Sequence, residues 1–154
     1  MSLRQRIEDD LRTALKAGDK DRLSCLRMVK AKVQEKQIEL RGKQGPKAKL
    51  SDEDVMNVVS AYAKQRRDSI ESYERGGRED LAAKERAELE ILAAYLPQPM
   101  SEDEVTAIVD EAARESGASG PRDMGAVMKL VMPKVKGRAD GKLVNRIAQS
   151  RLKG

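Results

Sequence analysis

Apolar residues in this chain return every three or four positions, stretch after stretch, and glycine or proline cuts each stretch off. Leu3, Ile7, Leu11 and Leu15 line one face of a helix rather than alternating as a half-buried strand would. Ser2 stands where an N-cap is needed, and Gly18 breaks the pattern. Asp19 then caps a second helix whose apolar positions Leu23, Leu26, Val29, Val33 and Ile38 keep a near-helical period. A chain patterned this way is expected to be all-α.

The rest of the sequence continues in the same style. Arg41–Lys49 sets Gly42, Gly45 and Pro46 among Lys43, Lys47 and Lys49, which predicts a mobile basic loop. Ser51 before Asp52, Glu53 and Asp54 puts a capping hydroxyl and carboxylates where the helix dipole favours negative charge. The third helix then turns Val55, Val58, Val59, Tyr62, Ile70 and Tyr73 inward and stops at Gly76-Gly77. A fourth, Arg78–Leu96, carries Leu81, Ala87, Leu89, Ile91, Leu92 and Tyr95 and must end before Pro97. Pro97-Gln98-Pro99 reads as a hinge. Beyond it, Ser101–Glu104 is a capping-box sequence ahead of Val105, Ile108, Val109 and Ala112, and Gly117 closes that helix. Gly120-Pro121 opens another with the stripe Met124, Val127, Met128 and Val131, which Pro133 is expected to stop. Lys134–Gly141 reads as a glycine-bearing basic loop, and Leu143, Val144, Ile147 and Leu152 belong to a last helix. The expected organisation is an N-terminal hairpin-type domain of about four helices over residues 1–96, a proline-rich hinge over 97–100, and a small three-helix domain over 101–154.

Composition narrows the chemistry. Aromatics make up 2% of the chain, all of them tyrosine, so the core is aliphatic. No apolar run approaches the roughly 20 residues that cross a bilayer, and Met1–Ile7 is too charged for a signal-peptide core, so a cytoplasmic protein is expected. Cys25 is the only cysteine and histidine is absent, which excludes an intrachain disulfide and the usual zinc sites. Neither a cofactor nor a metal is expected. Cys25, set among Leu23, Leu26 and Val29, reads as a buried structural thiol. Asp52, Glu53 and Asp54 are explained by the helix dipole without a cation. Tyr62, Tyr73 and Tyr95 fall on or beside apolar stripes, which suits packing better than base stacking.

Charge is segregated along the chain. From Pro121 onward, Arg122, Lys129, Lys134, Lys136, Arg138, Lys142, Arg146, Arg151 and Lys153 meet only Asp123 and Asp140. The helix before them carries Glu102, Asp103, Glu104, Asp110, Glu111 and Glu115 against Arg114 alone. A small domain with opposite ends would draw a polyanion to one face and orient it. Lys134, Lys136, Arg138, Lys142 and Arg146 are the candidate phosphate-contacting residues, near Gly137 and Gly141, whose backbone amides would add to such contacts. A second basic stretch, Lys16 to Lys49, would extend the track, although much of it is ordinary helical surface.

Several local runs resemble the YqeY family: Leu96-Pro97 through Ser101-Glu102, Gly117-Ala118-Ser119, Asp123-Met124-Gly125, Val127-Met128 and Val135-Lys136-Gly137-Arg138-Ala139-Asp140-Gly141. Asp21, Arg22, Leu23, Leu26 and Arg27, with the Tyr73–Gly76–Arg78 region, extend the resemblance across the N-terminal half. In that family the C-terminal part is similar to the tail domain of GatB, the B subunit of the amidotransferase that amidates Glu-tRNA or Asp-tRNA. A similar module is appended to glutaminyl-tRNA synthetase in some bacteria. The resemblance implies contact with tRNA, and the five candidate cations are expected to meet phosphates at its outer bend.

It does not imply catalysis by this chain. Amide transfer needs phosphoryl activation of a carboxylate and a glutaminase nucleophile, and the sequence has no glycine-rich phosphate loop, no Ser-Lys or Cys-His pair and no histidine. The expected function is a non-catalytic tRNA-binding accessory protein. Two alternatives stand beside it: an adaptor that docks an aminoacyl-tRNA synthetase or amidotransferase, and a contributor, within a complex, to carbon–nitrogen ligation with glutamine as amide donor.

Overall fold

A computed structural model of the chain describes Met1–Lys153; Gly154 lies outside the described residues. The described residues are helical throughout, without a strand, and their helices gather into two compact units, Met1–Leu96 and Pro97–Gly154.

In the first unit, α1 (Leu3–Ala17) starts where the Ser2 hydroxyl accepts from the Gln5 amide and ends at Gly18, whose φ of 70° is left-handed. Ile7 is buried, but the next buried position is Ala14, not the expected Leu15, which is 55% exposed. Steps of four residues outrun the 3.6-residue turn, so a stripe built only from them drifts off the inner face.

Helix α2 (Lys20–Gln44) runs four residues into the stretch expected to be a loop. A lone internal glycine costs only about 1 kcal/mol, so Gly42 does not stop the helix. Glu39 accepts from both Lys36 and Lys43 on that last turn. The break comes at Gly45, with φ of 102°, followed by Pro46. Ile38, expected inside, is 64% exposed, and Gln37 is buried in its place. The Gln37 amide donates to the Ala48 carbonyl at 2.8 Å and accepts from the Leu50 amide and from Arg4, both at 3.3 Å. One side chain thereby satisfies the backbone of the Gly45–Leu50 connection and ties it to α1 and α2.

Helix α3 (Asp52–Arg75) opens with a complete capping box between Ser51 and Asp54. The neighbouring Asp52 accepts from the Leu3 amide. Helix α4 (Glu79–Ala93) packs on α3 and stops short of the expected Leu96, with turns carrying Tyr95 into the core. That core joins Ile7, Leu26, Val29, Val59, Tyr62 and Leu92. The Tyr95 hydroxyl donates to Asp10 at 2.5 Å, and the Arg66 guanidinium covers the Tyr62 ring at 4.8 Å.

The second unit is smaller and wholly aliphatic. Helix α5 (Glu102–Ser116) has the expected capping box and closes at Gly117. A 3-10 turn, Pro121–Asp123, leads into α6 (Met124–Val135), and α7 (Gly141–Leu152) follows. Val105, Val109, Val127, Val131, Val144 and Ala148 are fully buried between the three helices. Pro133 does not stop α6, which continues to Val135. Proline forfeits one backbone hydrogen bond, but near a helix end little ladder remains to lose, and complete burial of Val135 holds the final turn. The basic loop therefore shrinks to Lys136–Asp140, turned by Gly137 at φ 78° and closed by the Asp140 side chain accepting from the Lys142 amide.

Candidate nucleic-acid interface

The candidate cations of the second unit sit on the last turn of α6, in the loop after it and on α7, whose first turn Asp140 caps. Lys134 stands on the last turn of α6 and Lys136 caps it. Both are exposed, as is Lys142 in the first turn of α7, and none of the three has an ion pair among the described residues. Arg146 follows Lys142 by one helical turn, and the two share a shallow surface groove of ≈ 390 Å³ with Gly141, Asn145 and Gln149.

Two of the five candidates are already engaged. Arg146 donates to Glu102 at 2.8 Å. Arg138 turns back, its Nε donating to the Gln98 carbonyl at 3.0 Å while its guanidinium lies 4.0 Å from Glu104. Arg151, outside the candidate set, makes a two-pronged contact with Asp110 at 2.7 and 2.8 Å. That bond raises the Arg151 pKa further, so the residue stays charged at any working pH.

These contacts correct the expectation of two oppositely charged ends. Helices α5 and α7 pack side by side, so arginines from the basic segment reach carboxylates of the acidic one. Segregation along the sequence is thus partly neutralised in space; among the described residues from Pro121 onward the cations without an ion pair are Arg122, Lys129, Lys134, Lys136, Lys142 and Lys153, and Lys134, Lys136 and Lys142 are the candidates among them. Exposed pairs such as Arg146–Glu102, with both side chains more than 60% accessible, are weak and exchange readily for a phosphate.

Sequence reasoning singled out the charges and passed over Asn145 and Gln149. Both are exposed on the same face of α7 as Lys142 and Arg146. The signal was available as polar side chains at three- and four-residue steps from Lys142, opposite the buried Val144, Ile147 and Ala148.

Cys25, in the other unit, is fully buried with its Sγ 4.0 Å from the Glu88 carbonyl. Burial, and then the negative charge of Glu88, push its pKa from the ordinary 9.0 to about 12, so it carries almost no thiolate at neutral pH. Tyr62 and Tyr95 are buried as well and offer no face to an unpaired base. Among the described residues no helix is long and apolar enough to cross a membrane.

Comparison with known proteins agrees across both units. The family model described as "Yqey-like protein" matches residues 4–152. A relative from Pyrenophora tritici-repentis, "Altered inheritance of mitochondria protein 41, mitochondrial", is 29% identical over 136 residues, covering 87% of this chain and 71% of the relative. The protein of the same name from Saccharomyces cerevisiae is 32% identical over 98 residues, covering 63% of this chain and 50% of the relative. In Eremothecium gossypii it is 31% identical over 90 residues, covering 58% and 46%. The chain thus spans about half the length of the Saccharomyces and Eremothecium relatives it matches. A family match running from the first turn of α1 to the end of α7 leaves neither unit outside it, and the chain belongs to the Yqey-like protein family.

Proposed function

We propose that this chain is a non-catalytic accessory protein that holds a structured RNA, transfer RNA being the one implied by its resemblance to the amidotransferase tail. The main support is the exposed, unpaired charge of Lys134, Lys136 and Lys142, with Arg146 beside Lys142 in one groove. Cations so placed bind a polyanion by releasing its counterions, with no requirement for sequence readout. The cytoplasmic setting expected from the sequence is part of this proposal; the fungal relatives carry "mitochondrial" in their names, and transfer RNA is present in both compartments.

Titration of tRNA with the full chain at several salt concentrations tests the reading. Three to five phosphate contacts give a slope of log K against log salt of roughly −2.7 to −4.5 at about 0.9 per phosphate. Charge reversal at Lys136 and Lys142 together is expected to weaken every tRNA alike and to flatten that slope by about two. Unchanged affinity in the reversed variant rejects this surface.

One observation favours a second reading, docking of a synthetase or amidotransferase by the first unit. A groove of ≈ 390 Å³ along α2 is lined by Lys20, Leu23, Ser24, Arg27 and Met28, and Met28 is 48% exposed. Capture of either enzyme that survives nuclease treatment and is lost on Met28→Glu supports docking; capture that needs RNA returns the case to the first reading.

A further inference from the structure

The outer face of α7 carries more than charge. Asn145, Arg146, Gln149 and Lys153 lie three, four, seven and eleven residues beyond Lys142, the spacing of one helical face, and all five are exposed. Behind them Val144, Ile147, Ala148 and Leu152 are buried, which fixes the helix and aligns the polar row. The carboxamides of Asn145 and Gln149 make no hydrogen bond among the described residues, and cations bracket them along the helix. Each carboxamide presents a donor and an acceptor at once.

We propose that this face lies in the minor groove of double-helical RNA, with Asn145 and Gln149 on ribose 2′-hydroxyls and Lys142, Arg146 and Lys153 on the flanking phosphates. The proposal rests on the RNA-holding reading and names its substrate class as A-form duplex. Two observations select that class. Tyr62 and Tyr95 are buried, the chain has no Phe or Trp, and the half-buried Tyr73 belongs to α3 of the other unit, so this face of α7 carries none of the stacking platforms that single strands require. The exposed amides then match what a wide, shallow A-form minor groove displays, hydroxyls that both donate and accept. Deoxyribose has no such group, so the face distinguishes RNA from DNA where cations alone would not.

Fluorescence anisotropy with the full chain tests this against a labelled RNA hairpin, a DNA hairpin of the same sequence and a single-stranded RNA of the same length. The RNA hairpin is expected to bind roughly tenfold more tightly than the DNA hairpin, as two added hydrogen bonds allow. The double variant N145A/Q149A is expected to bring RNA down to the DNA level without altering DNA affinity or the salt slope. Alanine at exposed helical positions preserves the helix, which circular dichroism verifies. Lys142→Ala with Lys153→Ala is expected to weaken both hairpins together. Equal binding of the two hairpins, or a preference that survives in N145A/Q149A, overturns the proposal and leaves the RNA-holding reading intact; single-stranded RNA bound as tightly as the hairpin overturns the proposal and the structured-RNA reading together. Failure to bind any of the three nucleic acids removes both.

Discussion

Arg146 carries a full positive charge, yet Glu102 holds its guanidinium at 2.8 Å, so part of that charge is spent within the unit. A phosphate competes with Glu102 for the same donors. Glu102→Gln removes the competitor, and affinity for an RNA hairpin is expected to rise two- to threefold near 50 mM salt and to lose that gain near 1 M, by about the factor that screening predicts. A titration showing no gain at low salt means that Arg146 does not face the nucleic acid. The other informative single residue is Cys25. Its folded pKa lies at about 12, above the ordinary 9.0, because burial and Glu88 disfavour the thiolate. Below pH 9 the thiol is protonated in both states and contributes no pH dependence. Above it the unfolded chain loses its proton first, so stability falls as pH rises through 9 toward 12. Tyr95, raised by burial and by its bond to Asp10, acts in the same direction. Urea unfolding at stepped alkaline pH is expected to show this decline, and Cys25→Ala to make it shallower.

Elements were legible in the sequence wherever a chemical signal was strong and local. The capping residues Ser2, Asp19, Ser51 and Ser101 mark the true starts of four helices, because a short side-chain oxygen before a helical run has few other uses. Stops were harder to read. Gly42 and Pro133 both lie inside helices: a glycine on an exposed turn costs only about 1 kcal/mol, and burial of Val135 holds the turn past Pro133. The exchange of Ile38 for Gln37 was not visible either: a buried amide depends on carbonyl and amide groups brought back by a later turn, which no periodicity contains. Of the candidate site, the lysines were legible as charge. The ion pairs that occupy Arg138 and Arg146 needed the packing of α5 on α7. Gln37 also gives the sharpest prediction at this scale. Gln37→Ala leaves the Ala48 carbonyl and the Leu50 amide without their partner, at a cost of about 2–4 kcal/mol. Hydrogen exchange is expected to accelerate in Ala48–Ser51 ahead of global unfolding, whereas uniform acceleration through α2 and α3 would mean that Gln37 supports the core instead of the connection.

At the scale of the whole molecule, the two cores share no residue: one is built from α1 to α4, the other from α5 to α7. A domain of about 60 residues buries only ~60% of its unfolded surface, so the second unit has little stability to spare. All three tyrosines, Tyr62, Tyr73 and Tyr95, belong to the first unit, while helical circular dichroism reports on both. The two signals therefore separate the two unfolding events. Val131 is completely buried, and Val131→Ala removes two carbon atoms from an aliphatic core with no large ring to settle into the gap, costing about 1.5–3 kcal/mol. In that variant part of the helical signal is expected to melt early, with RNA binding lost over the same range, while tyrosine fluorescence keeps the wild-type midpoint. Coincident loss of both signals would show that the units unfold as one body, and that the nucleic-acid face draws its stability from all seven helices.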